Sequence, residues 1–395
     1  MNSELQQSIK KLSIELLPEV IRIRRYLHQH PELSFEEEKT SQWICSLFDE
    51  LGISYSKGWA GHGIVAEITS NSSNNIIALR ADMDALPIQE INDVPYRSIN
   101  KGTMHACGHD VHMASLIGAA MILTKLKEHL PYSIRFIFQP GEEKLPGGAK
   151  LMIEEGVLQN PVPVAIIGQH VFPSLPSGKV GLRSGLYMAS ADEIFITISG
   201  KGGHGAMPHE CTDTILAASQ MIVSLQQIVS RKSNPSIPSV LSFGKFNSVG
   251  GATNIIPEVV QIEGTFRTMD ETWRNYAHEL IISIARETCR IYGADCKVNI
   301  INGYPCLIND PVLSAHVKKI MTEFLGAENV LELPLRMTSE DFAFYSQVIP
   351  ACFYRLGTGN LEKGITSAVH TPTFDIDESA LQTGMGLMAW IALNQ

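Results

Sequence analysis

Residues 104–112 read MHACGHDVH, with three histidines, a cysteine and an aspartate within nine positions. Cys107 and His109 offer a soft sulfur and an imidazole nitrogen on either side of one glycine, which lets the backbone bend between them. The stretch lies just before an apolar run that reads as a helix, and the positive end of a helix favours a thiolate. Alone, Cys-x-His is a weak signal, equally compatible with a small buried thiol beside a surface histidine. It is not half of a zinc finger, because the chain has no Cys-x-x-Cys pair. Glu142 and Glu143 form a second candidate. Adjacent acids are usually solvated surface, but these follow the apolar run SIRFIFQ and a Pro-Gly turn, where surface charge is less expected. Neighbouring side chains diverge, so one carboxylate can hold a metal while the other moves protons. His170 closes the apolar run VAIIGQH, and a core histidine bonded to backbone is the plainer account of that residue alone. His370, in AVHTPTF, reads as a loop histidine.

A scaffold has to bring these residues together. Apolar spacing predicts helices from Leu5 to Leu27 and from Thr40 to Leu51. Strand-like runs follow at 63–69, 75–84, 133–140 and 164–170, with a buried helix at 114–126 and a short one at 147–156. NSSNN (71–75) reads as a hairpin loop. Strands alternating with helices predict an α/β sandwich around a mostly parallel sheet. Asp82 and Asp84, Glu142 and Glu143, and His170 would then close successive strands, at the edge where open α/β sheets bind ligands. Carboxylates, imidazoles and a thiol gathered there would repel or stay unpaired without a cation, so metal is the economical explanation.

From about residue 190 the pattern changes to β-α-β-β-α-β, which closes into a small antiparallel sheet with two helices on one face. The α/β pattern resumes after about residue 302, with strands near Val330 and at ACFYRLG and a last helix from Asp377. A second domain inserted into the first is the expected organisation: a catalytic domain of 1–187 and 303–395, and an insert of 188–302.

The chain has 395 residues, 44% hydrophobic and 18% charged, with a formal net charge of −10. That composition suits two folded domains and argues against disorder. Only Arg22–Arg25 clusters basic charge, so nucleic acid is not an expected partner. The amphipathic N-terminus lacks the apolar core of a signal peptide, and apolar stretches such as 116–123 are too short to span a bilayer, so no membrane partner is expected. Seven cysteines at irregular spacing argue against a disulfide framework and suggest a reducing cytoplasm.

The order Cys-x-His, Glu-Glu, His and a distant loop His is distinctive, and at this point the chain resembles the M20 metallopeptidase family in its amidohydrolase branch. The likeness runs through RRYLHQHPELSFEE, LRADMDALPIQE, GTMHACGHDVHMA, FIFQPGEE, GGAKLMIEEG, SGKGGHGAMPH, TNIIPEVVQIEGTFRT, TSEDFAFYSQVIP and HTPTFDIDESAL. It implies a zinc-peptidase-like α/β/α catalytic domain carrying a ferredoxin-like lid and dimerisation domain. It also implies two divalent metal ions (Zn2+, Mn2+ or Ni2+) held by Cys107, His109, Glu143, His170 and His370, with Cys107 between the two ions. Glu142 would be the general base and acid. His204 resembles a histidine that reaches the partner subunit's site and steadies an oxyanion, and Asn254 and Arg267 resemble residues that hold the substrate.

The implied activity is hydrolysis of N-acyl-L-amino acids, a small-molecule substrate class, by a cytoplasmic homodimer. N-acetyl-diaminopimelate deacetylation, dipeptide hydrolysis and a catalytically dead metal-binding protein are the rival expectations. The segment KLPGG after the Glu pair, Val111, and Met337-Thr338 depart from the family pattern and bear on loop shape and acyl preference. Asp110 is expected to cap the helix that follows it and to support a ligand histidine; His105 and His112 stay open.

Overall fold

The computed structural model describes residues 2–395. Two long N-terminal helices, α1 (Asn2–Gln29) and α2 (Glu38–Leu51), precede strands β1 (Ser54–Trp59), β2 (Gly63–Ile68) and β3 (Ile76–Asp82). Helix α3 (His109–Lys125), β4 (Ser133–Gln139), α4 (Gly148–Glu154), β5 (Ala165–Pro176) and β6 (Val180–Leu182) follow. The next stretch holds β7 (Asp192–Ser199), α5 (Thr214–Leu225), β8 (Ser239–Val249), β9 (Val259–Thr268), α6 (Glu271–Ile291) and β10 (Asp295–Asn302). The chain ends with α7 (Pro311–Leu325), β11 (Val330–Glu332), β12 (Ala351–Gly359) and α8 (Ala380–Leu393).

Packing divides the chain into two units. The first takes in the chain up to Tyr187, Ile308–Leu335 and Asp341–Gln395; the second takes Met188–Leu307 and Arg336–Glu340. The sequence pattern closes the insert at residue 302. Packing extends it, because Ala189 N donates to the Arg336 carbonyl at 3.1 Å and Arg267 Nη1 to that of Met337 at 3.2 Å.

The first unit is built on an eight-stranded sheet of order β1-β2-β4-β3-β5-β12-β6-β11. Its centre, β4-β3-β5-β12, is parallel, whereas β1-β2, β2-β4 and β12-β6 pair antiparallel. The β6-β11 pair is parallel as well, so most pairs of this mixed sheet are parallel, as the alternation of strands and helices predicts. NSSNN does not join a hairpin, because β4 lies between β2 and β3. Every residue of β3 is buried, as a central strand covered on both faces requires. Helices α1, α3 and α8 pack against one another, and α3 and α8 are apolar or small on almost every side, as helices buried all round must be. Each Ile or Leu closed into this layer contributes about 1.5–3 kcal/mol.

The second unit is an antiparallel sheet of order β8-β9-β7-β10. Ile194, Ile196 and Ile198 alternate inward along β7 and share one core with Ala217, Met221, Ala277 and Ile281 of α5 and α6. Aspartates start the helices: Asp213 accepts from Leu216 N, and Asp270 from Trp273 N at 2.6 Å. No helix among the described residues is long and apolar enough to cross a membrane.

Candidate metal centre

Helix α3 begins at His109, and Gly108 before it has φ +81. That left-handed turn sets Cys107 and His109 side by side, and only glycine adopts it without strain. A Cβ on Gly108 would lie 2.6 Å from Cγ2 of Val171, the residue after His170. The turn is thus packed directly against the strand that carries the next histidine. His170 sits within β5, which runs on to Pro176, and does not end it. His370 has φ +62, and its N–H donates to the Ala106 carbonyl at 2.7 Å, which pins the C-terminal loop beside Cys107.

Hydrogen bonds settle which ring nitrogens face the cluster. His109 Nδ1 lies 3.2 Å from Asp84 Oδ1, and His170 Nδ1 donates to the Val171 carbonyl at 2.8 Å. Both rings therefore turn Nε2 toward Cys107 and Glu143, the arrangement in which an outer acceptor fixes a ligand imidazole. Cys107 Sγ lies 3.5 Å from His170 Nε2 and 3.3 Å from His370 Nε2. Glu143 Oε1 lies 3.1 Å from His370 Nε2 and 4.0 Å from His109 Nε2. His109 Nε2 and Glu143 Oε1 are nonetheless buried without a hydrogen bond.

Two groups of donors result, each with all atoms within 4.8 Å: Cys107, His109 and His170, and Cys107, Glu143 and His370. A third combines His109, Glu142 and Glu143. Zinc–sulfur and zinc–nitrogen bonds of about 2.3 and 2.1 Å at a tetrahedral angle put the donors about 3.6 Å apart, close to the sulfur–nitrogen separations here. The donor set and its unsatisfied atoms fit divalent cations.

The electrostatics point the same way. Burial pushes the Cys107 thiol well above its ordinary range, and the Glu143 and Glu142 carboxylates push it further. Such a thiol ionises only with a cation at hand. Burial would lower His109, but Asp82, Asp84 and Glu143 outweigh it and hold the imidazole at about 10. The pocket thus binds positive charge, as a proton on His109 or as a metal ion in its place.

Glu142 is 6% exposed, and Oε1 accepts from Asp341 N at 3.2 Å. Asp341 is held in turn by Arg80 Nη2 at 2.7 Å, Gln139 Nε2 at 2.7 Å and Ala149 N at 2.9 Å. On the other side of the Glu pair, Gly141 N donates to Glu37 Oε1 at 2.7 Å. Burial, with the Asp84 charge, raises that carboxyl to about 8. The loop bearing Glu142 and Glu143 is fastened at both ends.

His204, Asn254 and Arg267 lie in the second unit. Short strands Gly203–His204 and Ile255–Ile256 pair, and Gly205 N donates to the Asn254 carbonyl at 2.7 Å, so His204 and Asn254 are neighbours. Ala206 N donates to His204 Nδ1 at 3.0 Å, which leaves the proton of the neutral ring on Nε2. Arg267, on β9, reaches the Met337 carbonyl at 3.2 Å and Ser339 Oγ at 3.5 Å, and burial lowers its pKa.

Asp110 does neither thing expected of it. It lies inside α3, whose cap Gly108 has no side chain to offer. Its carboxylate instead accepts from Arg24 Nε at 2.7 Å and meets His28 Nδ1 at 2.8 Å, all fully buried. Burial would raise Asp110, but Arg24 and His28 hold it far below the usual carboxylate range. His112 resolves as a brace. Val171 N donates to its Nε2 at 2.9 Å, so its proton is on Nδ1 and goes to Asp82 Oδ1 at 2.5 Å. His105 is buried with neither ring nitrogen bonded, and burial lowers it to about 4, so it is neutral.

Residues 78–394 match the model of peptidase family M20/M25/M40. The chain belongs to that family. Among the family's relatives, thermostable carboxypeptidase 2 of Saccharolobus solfataricus is 38% identical over 393 residues, covering 99% of this chain and 98% of the relative. The N-acyl-L-amino acid amidohydrolase of Geobacillus stearothermophilus is 42% identical over 304 residues, 77% of this chain and 81% of that one. A solved structure from Bacillus subtilis, described as a dinuclear metal binding peptidase from the M20 family, superposes with TM-score 0.83 at 36% identity, covering 96% of this chain and 98% of that one. This M20 chain is a hydrolase of mixed α/β fold, its second unit inserted in sequence into the first.

Arg80 and Asp341 were not among the candidates read from sequence, and Asp82 and Asp84 were placed at the ligand-binding edge without a role. Asp84 does the most: Oδ1 meets His109, while Oδ2 accepts from Ser34 Oγ at 2.6 Å and from Glu143 N at 2.9 Å. The signal was the charged run RADMD closing a strand in which every other residue is apolar or small.

Proposed function

We propose that this M20 hydrolase cleaves the amide bond of N-acyl-L-amino acids with two divalent metal ions. The observation that carries the reading is that Cys107 alone is common to the two donor groups Cys107/His109/His170 and Cys107/Glu143/His370. A shared thiolate between two three-donor sets suits a dinuclear site, and the Bacillus subtilis relative is itself described as binding a dinuclear metal. Cys107, His109, Glu143, His170 and His370 would hold the ions, of which zinc, nickel and manganese suit these donors. When bound, the ions supply Lewis-acid chemistry, making water acidic near neutral pH and polarising the substrate carbonyl.

The chain's own groups do the rest. Glu142, beside Glu143 but outside both sets, takes the proton from the attacking water on a carboxylate oxygen and returns it to the leaving amine nitrogen. The Asp341 N–H to its Oε1 keeps that carboxylate aimed. His204, with its proton on Nε2, donates to the oxygen that becomes negative. Asn254 and Arg267 bind the substrate. Arg267 has backbone and hydroxyl acceptors but no carboxylate among its hydrogen-bond partners in the described residues, which suits it to a substrate carboxylate. The enzyme would act as a cytoplasmic homodimer through its second unit; exposed Ile215, Leu216 and Val223 along α5 support a partner on that face.

A second reading, peptide hydrolysis, is favoured by the carboxypeptidase name of a relative at 38% identity. The test is a turnover panel of N-acetyl, N-benzoyl and indole-acetyl amino acids against dipeptides and longer peptides. Higher kcat/KM on N-acyl amino acids supports the amidohydrolase reading; turnover of peptides alone replaces it.

A further inference from the structure

The second unit holds a pair of thiols that the hydrolytic site does not use. Cys289 lies in the last turn of α6, fully buried, and Cys296 is the second residue of β10, partly exposed. Between them the chain reverses sharply. Tyr292 N and Ala294 N both donate to the Cys289 carbonyl at 3.0 Å, and Gly293 turns with φ +69. Along β10, Cys296, Val298 and Ile300 alternate toward the helices and join the core to which Cys289 belongs. The helix end and the strand start therefore deliver both thiols to one end of the same layer, facing each other.

The two are not equivalent. The neighbouring Cys296, and burial, push the fully buried Cys289 thiol above its ordinary range. The neighbouring Cys289 and the charge of Arg286 draw the partly exposed Cys296 down, although burial opposes both. A partly exposed sulfur near an arginine and against a second, buried thiol is the arrangement of an oxidisable cysteine with a resolving partner. The remaining partly exposed cysteine, Cys211, instead meets a backbone carbonyl, that of Met207, at 3.6 Å.

We propose that Cys289 and Cys296 form a peroxide-oxidisable dithiol that closes to a disulfide between the end of α6 and the edge strand β10. The Cys296 thiolate attacks one peroxide oxygen, the O–O bond breaks, and hydroxide leaves and takes up a proton to become water. Cys296 is then a sulfenic acid. The Cys289 sulfur attacks the Cys296 sulfur, its proton joins the departing hydroxyl, and a second water is released. Each sulfur has lost one electron and the peroxide has gained two. A thiol reductant reverses the change, and no catalytic group in the first unit takes part.

The sequence makes the test direct. Trypsin cuts after Arg286, Arg290 and Lys297, so the two cysteines fall on separate peptides, Glu287–Arg290 and Ile291–Lys297. The purified full chain is treated with equimolar hydrogen peroxide, blocked with iodoacetamide, digested without reductant and mapped by mass spectrometry. The expected product is those two peptides joined, two hydrogens lighter than their sum and separated by dithiothreitol. In Cys289→Ser, dimedone should label Cys296 in the Ile291–Lys297 peptide and no crosslink should form. Recovery of both peptides carrying iodoacetamide label after oxidation overturns the proposal, whether or not Cys211 has reacted. The mapping of the unsubstituted protein decides this even if the variant does not fold.

Discussion

Gly108→Ala tests whether the Cys107–His109 turn is built against His170. The added Cβ has two costs. A residue with a Cβ held at φ +81 loses about 1–2 kcal/mol relative to glycine. The Cβ would also lie 2.6 and 3.0 Å from the two methyl carbons of Val171, and overpacking of this kind costs about 1–3 kcal/mol. The sum is about 2–5 kcal/mol if the backbone stays in place. Relief requires the turn to move away from Val171, which separates Cys107 and His109 from His170. Gly102→Ala is the matched control: its φ is +78, and an added Cβ meets nothing within 4 Å. It carries the conformational cost alone, about 1–2 kcal/mol. Urea unfolding and metal content per chain, measured on both variants, separate the two costs. We expect Gly108→Ala to be the less stable and to hold less metal, while Gly102→Ala keeps its metal. Equal destabilisation with equal metal content would refute the reasoning.

Glu142→Gln should retain metal and lose about 10²–10⁴ in kcat, the usual worth of a positioned acid–base group; turnover with parallel metal analysis checks it, and a near-normal rate removes Glu142 from the role. Arg24→Met leaves Asp110 buried and short of its principal cation, which should cost about 3–5 kcal/mol in urea unfolding. In the second unit, burial would raise Asp192, but His278 and Arg274 outweigh it and hold the carboxylate below its ordinary 3.8. A lowered folded pKa means that the stabilisation is complete above about pH 4 and is lost as pH falls through the folded value. The unfolding difference between wild type and Asp192→Asn should accordingly shrink as pH falls below about 4; a gap that keeps growing below that pH contradicts the assignment.

The convergence of Cys107, His109 and Glu143 was legible because each lies at or near a strand end or a helix start, and local patterning marks those places; His170 was legible as the close of an apolar run, although its strand continues to Pro176. His370 was reachable only through the family resemblance, since nothing local distinguishes it from any loop histidine. What the sequence hid was non-local. Asp110 looked like a helix cap because aspartates so often are, yet its partner Arg24 is 86 residues away on α1. The order β2-β4-β3 could not be read from NSSNN, because a polar loop looks the same whether its flanking strands pair or admit another between them. The roles of His105 and His112 depended on which neighbours reach their ring nitrogens. Only the fold supplies those, with Val171 N and Asp82 for one and no partner for the other.

The central claim is that metal held by Cys107 and its neighbours drives hydrolysis of an N-acyl amino acid. Its most direct measurement is the turnover of N-acetyl and N-benzoyl amino acids by purified protein before chelation, after chelation and dialysis, and after readdition of zinc, manganese or nickel. The account predicts that activity disappears with the metal, that one of the three ions restores it, and that the restored enzyme contains about two ions per chain. Full activity in the metal-free protein would contradict it.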